Sequence, residues 1–239
     1  MTRLGTLTQM ALREMWISFR LIAVIGVPMV GGLAVIALPS EVAGVTAIGG
    51  AGFWYAIAAA AAICISSALA AGTIADERER GTLAWMAVRA VPRAAVLLSW
   101  FVAFGMLLAA GIAIGSVGAW LAAVARAEAP LDVIPFAAAV VATAGLALVG
   151  VACGLLIGTL LRSVPAILVV LALGAALLAA SIVTPLGGDL RPTEGIGLLA
   201  HLDAAARPIG SALQSTGLAL AAAAVLLVLA GVVLERSEL

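Results

Sequence analysis

The sequence predicts an all-α integral membrane protein of six transmembrane helices. An amphipathic N-terminal helix lies at the interface and a short cytoplasmic helix sits between spans two and three. Three observations predict it. The 239 residues are 65% apolar and only 10% charged, with a mean hydropathy of +1.27, whereas soluble domains run near 45–50% apolar and about 25% charged. Six uncharged apolar runs are long enough to cross about 30 Å of hydrocarbon. The arginines gather at the ends of those runs that share one side.

Residues 3–20 plot as an amphipathic helix. Leu4, Leu7, Ala11, Leu12, Met15, Trp16 and Phe19 share one broad arc, and Thr6, Gln9, Arg13 and Arg20 fall opposite. Such a helix is expected to lie flat in the headgroup layer. Met10 and Ile17 fall off the arc. Arg13, Glu14 and Arg20 are spread through the segment, and no small-residue cleavage pattern follows, so it does not read as a signal peptide.

The expected spans are 21–38, 52–75, 94–125, 133–161, 164–184 and 208–234. The third is longer than a perpendicular crossing needs. It is expected to tilt, protrude or break near Gly111 or Gly115. Gly150, Gly154 and Gly158 form a ridge at helical spacing on span four, and Gly111 with Gly115 forms another on span three. Such ridges let helix backbones approach closely, most simply within one subunit. Pro165 suits the start of span five. Residues 185–207 read as an extracellular or re-entrant element. The whole chain reads as one transmembrane domain.

Six spans put both termini on one side. If that side is the cytoplasm, it carries Arg3, Arg13, Arg20, Arg78, Arg80, Arg89, Arg93, Arg162 and Arg236. The outside carries Arg126, Arg191 and Arg207. The positive-inside rule therefore favours cytoplasmic termini. The composition suits a bacterial inner membrane, since every basic residue is arginine and alanine abounds.

Several functions are disfavoured. With no lysine in the chain, a phosphate-binding G-x-x-x-x-G-K-[ST] loop is impossible, so the chain is expected to carry no ATPase of its own. A net charge of zero disfavours nucleic acid as a partner. The runs hold no acid, base or histidine, which argues against an ion-coupled transporter. His201 lies near Asp203 and Ser211, but no G-x-S-x-G elbow accompanies them, and an ordinary loop histidine explains it. No catalytic residue and no metal site is expected. Cys64 and Cys153 read as small membrane-buried side chains. Phe53, Trp54 and Tyr55 cluster near the outer end of span two. They fit an interfacial aromatic belt, with a substrate path as the other reading.

The densest chemistry lies at 76–93. Asp76, Glu77 and Glu79 alternate with Arg78 and Arg80, so this is more than a topology signal. An apolar stretch follows, with Leu83, Met86, Ala87 and Ala90 on one helical face. A short surface helix with an apolar stripe suits docking to a partner protein. Acids at its start and Arg89 and Arg93 at its end match the helix dipole.

The stretch "DERERGTLAWMAVRAVPR" resembles the signature of the membrane subunits of type-2 ABC transporters. The signature runs acid-x-acid-Arg-Gly-Thr-Leu, then a Pro and an Arg, here Glu77, Glu79, Arg80, Gly81, Thr82, Leu83, Pro92 and Arg93. The family usually has a further proline where this chain has Ala90. "GLLIGTLLRSVPAI" is similar to the family's junction between spans four and five.

The resemblance implies two membrane subunits, either two copies of this chain or this chain with a related permease. They would assemble with two copies of a separate cytoplasmic ATPase, which would supply ATP and magnesium chemistry. The segment after span two would be the coupling helix. Leu83, Trp85 and Met86 would be buried in the ATPase, while Glu77, Glu79 and Arg80 would form polar links to it or to the N-terminal helix. The substrate path would run between the membrane subunits, lined by spans two and five. A haem-related branch of the family remains open. The alternatives are a membrane assembly or sensor subunit that moves nothing, and a secondary transporter.

Overall fold

In a computed structural model of the protein, residues 3–37, 49–81, 92–125, 133–183 and 209–236 are described. Helix dominates them, and no strand occurs among them. The helices are α1 (Arg3–Ile17), α2 (Arg20–Ala34), α3 (Gly49–Glu79), α4 (Arg93–Ala125), α5 (Val133–Leu160), α6 (Ser163–Val183) and α7 (Ile209–Arg236). A 3-10 turn, Val35–Ala37, extends α2. Five of these elements are long and apolar enough to cross a membrane, namely those over Arg20–Ala37, Trp54–Glu79, Arg93–Ala125, Phe136–Leu160 and Leu213–Arg236. Within α6, Ser163–Ala176 forms a shorter apolar helix.

Helix α3 is the hub, packing against α2, α4, α5 and α6. Its sequence explains this. A helix apolar all round is buried all round, and α3 is built largely of alanine, so neighbours approach from every side. Most of the apolar stretch of α3 is buried, whereas little of that of α7 is. Helix α7 packs mainly on α5 and turns Leu218, Val225, Val228 and Val232 outward.

The long third run is one unbroken helix of 33 residues, about 50 Å at 1.5 Å per residue. Of the three expected accommodations, tilting, protruding or breaking, a break at Gly111 or Gly115 does not occur. Those glycines instead accept α2. A Cβ at Gly111 would lie 2.8 Å from the Pro28 ring, and one at Gly115 would lie 2.8 Å from the Pro28 carbonyl carbon. Close approach, not bending, is what the missing side chains provide.

Between α1 and α2 the chain turns at Phe19, which has φ 59°, in the left-handed region. The turn directs part of the N-terminal apolar arc into protein. Ala11 and Met15 are buried against the bundle, where α1 packs on α4. Trp16 and Phe19 of the same arc, and Met10 and Ile17 off it, face outward. The helix therefore presents one apolar face to protein and further apolar side chains to its surroundings.

Candidate functional site

The last turn of α3 carries the acids and arginines of the "DERER" run. A helix places residues i, i+3 and i+4 on one face, and the run uses two faces differently. Thr73, Asp76 and Glu77 lie on the side of α2 and α4. Arg20, at the start of α2, donates from Nη1 to Thr73 Oγ1 at 2.6 Å, and its Nη2 lies 3.6 Å from Asp76 Oδ2. Trp100 of α4 donates from Nε1 to Glu77 Oε1 at 3.0 Å. The other Glu77 oxygen is buried without a hydrogen bond among the described residues.

Ala75, Arg78 and Glu79 lie on the side of α5 and α6. These two helices join through a tight corner at Leu161 and Arg162. A helix end leaves carbonyls unpaired at its C-terminus and amides unpaired at its N-terminus. Arg78 Nη1 donates to the carbonyls of Thr159 at 2.6 Å and Gly158 at 3.2 Å, with that of Leu161 at 3.5 Å. Glu79 Oε1 accepts the backbone N–H of Ser163 at 3.0 Å. Cation and anion thus each meet the dipole end that favours them. Pro165 has no N–H to leave unpaired in that first turn.

These bonds bring the starts of α2, α4 and α6 together with the ends of α3 and α5. Four consecutive side chains, Asp76 to Glu79, tie four different helices to the end of α3. An exposed charged loop is therefore not what this half of the run forms. Arginine 78 anchors the most strongly. Alanine there should cost about 1.5–3 kcal/mol, the usual worth of hydrogen bonds to a charged group, and lysine should recover only part, lacking the guanidinium fork. Denaturant or thermal unfolding in detergent measures the loss, and a change within about 0.5 kcal/mol, the range of an ordinary surface substitution, would contradict the anchoring role.

The remaining expected site residues are distributed as follows. Arg80 is exposed in the α3 terminal turn, and its N–H donates to the Asp76 carbonyl at 3.0 Å. Gly81 has φ 69° and no atom near a would-be Cβ, so glycine stands there for the left-handed helix ending rather than for space. Thr82, Leu83, Trp85 and Met86 lie outside the described residues, as do His201, Asp203 and the 185–207 element. Phe53 belongs to α3. Trp54 is half-buried, and Tyr55 is fully buried with its hydroxyl donating to the Ile112 carbonyl. Tyr55 thereby joins α3 to α4 inside the chain.

Trp100 is the functional-region residue that sequence reasoning missed. It stands near the start of the third apolar run, buried and bonded to Glu77. The available signal was an indole N–H near the start of one span facing acids at the end of the preceding one. No protein-family model matches the chain, and no curated protein matches it.

Proposed function

We propose that this chain is the membrane-spanning subunit of an ATP-driven ABC exporter. It crosses a bacterial inner membrane six times with cytoplasmic termini, forms the substrate path with a second copy or a related permease, and couples to a separate cytoplasmic ATPase that hydrolyses ATP. The observation that carries this reading is the "DERERGTLAWMAVRAVPR" stretch and its likeness to the coupling signature. The arrangement of the α3 end supports it physically. Transmitting a push requires a stiff base, and the segment from Thr82 leaves a helix end bonded to α2, α4, α5 and α6. A displacement of that end is shared by every helix bonded to it. The absence of lysine supports an external ATPase.

Mild purification from native membranes, with mass spectrometry of what accompanies the chain, tests the proposal. The expected companion is a P-loop ATPase, and reconstituted vesicles holding both should move substrate only with ATP. Ion-gradient transport by the chain alone would refute it. An ATPase that binds without ATP-dependent flux would favour an assembly or sensor role.

A further inference from the structure

Beside the anchored corner, an open cavity of about 360 Å³ is lined by Ala75, Arg78, Glu79, Leu160, Leu161 and Arg162. It lies at the end of the Phe136–Leu160 candidate span. Its charges are unequal in number and in engagement. Arg78 is committed to the α5 carbonyls, and Glu79 to the Ser163 amide. Arg162 is exposed, and its guanidinium makes no hydrogen bond or ion pair among the described residues. The cavity lining therefore has two cations against one carboxylate, and among the described residues the fork of Arg162 is the uncommitted one.

The surroundings of that fork are apolar. Leu160 is 56% exposed and Val164 is 68% exposed. From Val164 the outward positions continue through Leu168 to Leu171, an i, i+4, i+7 stripe running along α6 away from the cavity. A half-polar cavity at a span's end, with a guanidinium that is unpaired among the described residues and an apolar stripe continuing along the helix, matches a phospholipid in its two halves. Guanidinium grips a phosphodiester through two parallel hydrogen bonds, and basic pockets at helix ends recruit acidic headgroups.

We propose that this cavity is a binding site for an anionic phospholipid, its phosphodiester held by Arg162 and an acyl chain laid along Val164, Leu168 and Leu171. Arg78 adds positive field without leaving its carbonyls. The excess of cations disfavours the ammonium of a choline headgroup. The inference rests on the membrane character of the chain and not on the transport reading.

Native mass spectrometry of the purified chain, after exchange into nanodiscs of phosphatidylcholine with a minor fraction of phosphatidylglycerol, tests it. Phosphatidylglycerol should be enriched among retained lipids. Arg162→Gln should lower that enrichment about fivefold, the worth of one arginine near an acidic surface, and Arg162→Lys should keep part of it. Arg13→Gln, on the exposed side of α1, should leave it unchanged. Arg162 is exposed, so its loss does not threaten the fold. Equal retention of the two lipids, or equal losses in the Arg162 and Arg13 variants, overturns the proposal. So does displacement by excess soluble glycerol phosphate, which would identify a free phosphate ester as the ligand.

Discussion

Alanine at Gly154 is expected to destabilise the chain by at least about 2 kcal/mol, within the usual range for overpacking a rigid interior, and leucine there to prevent stable folding. Three glycines one turn apart on α5, Gly150, Gly154 and Gly158, face Ile63, Ser67 and Ala71, one turn apart on α3. A Cβ at Gly154 would lie 2.9 Å from the Ser67 carbonyl carbon and 3.1 Å from its Cα. These are backbone atoms of the central helix and cannot rotate aside. The Ser67 hydroxyl is turned back onto the Ile63 carbonyl at 2.7 Å, so the seam is already closed around the glycine. Relief requires α5 to move off α3, which draws Val151 and Leu155 out of the core and the Gly158 and Thr159 carbonyls away from Arg78. Gly217→Ala is the control. Beyond the backbone of its own helix turn and its chain neighbours, no atom lies within 4 Å of a Cβ there, and in a helix interior alanine gains up to about 1 kcal/mol over glycine. Unfolding midpoints in mixed micelles measure both. Equal midpoints for the two variants would mean that the α3–α5 seam is looser than its geometry.

The apolar frame was legible because lipid imposes a simple demand. Backbone groups must pair internally and side chains must be apolar, so uninterrupted runs announce helices. The glycine ridge on α5 was legible for a similar reason, since repeated omission of side chains at helical spacing has few uses. Its partner helix was not legible, because α3 is small on every side and carries no mark of which face receives the ridge. The fate of the charged run was only half visible. Its density signalled a purpose, but Glu79 and Ser163 are 84 positions apart, and a backbone amide carries no sequence signature. Nor does periodicity tell whether Gly111 and Gly115 bend a helix or admit a neighbour. Pro28 decides that, and it lies on a helix whose position only the fold supplies.

Glutamate at both Leu83 and Met86 is expected to abolish ATPase association and ATP-driven transport while leaving the unfolding midpoint of the bundle unchanged. The proposed docking face consists of apolar side chains on a segment that follows the anchored end of α3. Buried anchors at the centre of an interface each contribute about 2 kcal/mol or more, roughly thirtyfold in affinity, and a charge in place of two of them adds an unpaired desolvation penalty. The core residues of the described helices are left unaltered, so the expected stability change is small. Arg78→Ala supplies the contrast. It leaves Leu83, Trp85 and Met86 intact and weakens the base from which they extend, so it should lower stability and retain ATPase binding. If the base transmits force, that variant should hydrolyse ATP with reduced transport per ATP. Hydroxyl-radical footprinting gives a second readout, because Leu83, Trp85 and Met86 should be protected only when the ATPase is bound. Wild-type transport by the double glutamate variant would remove the 82–91 segment from the coupling path, and with it the main support for the exporter reading.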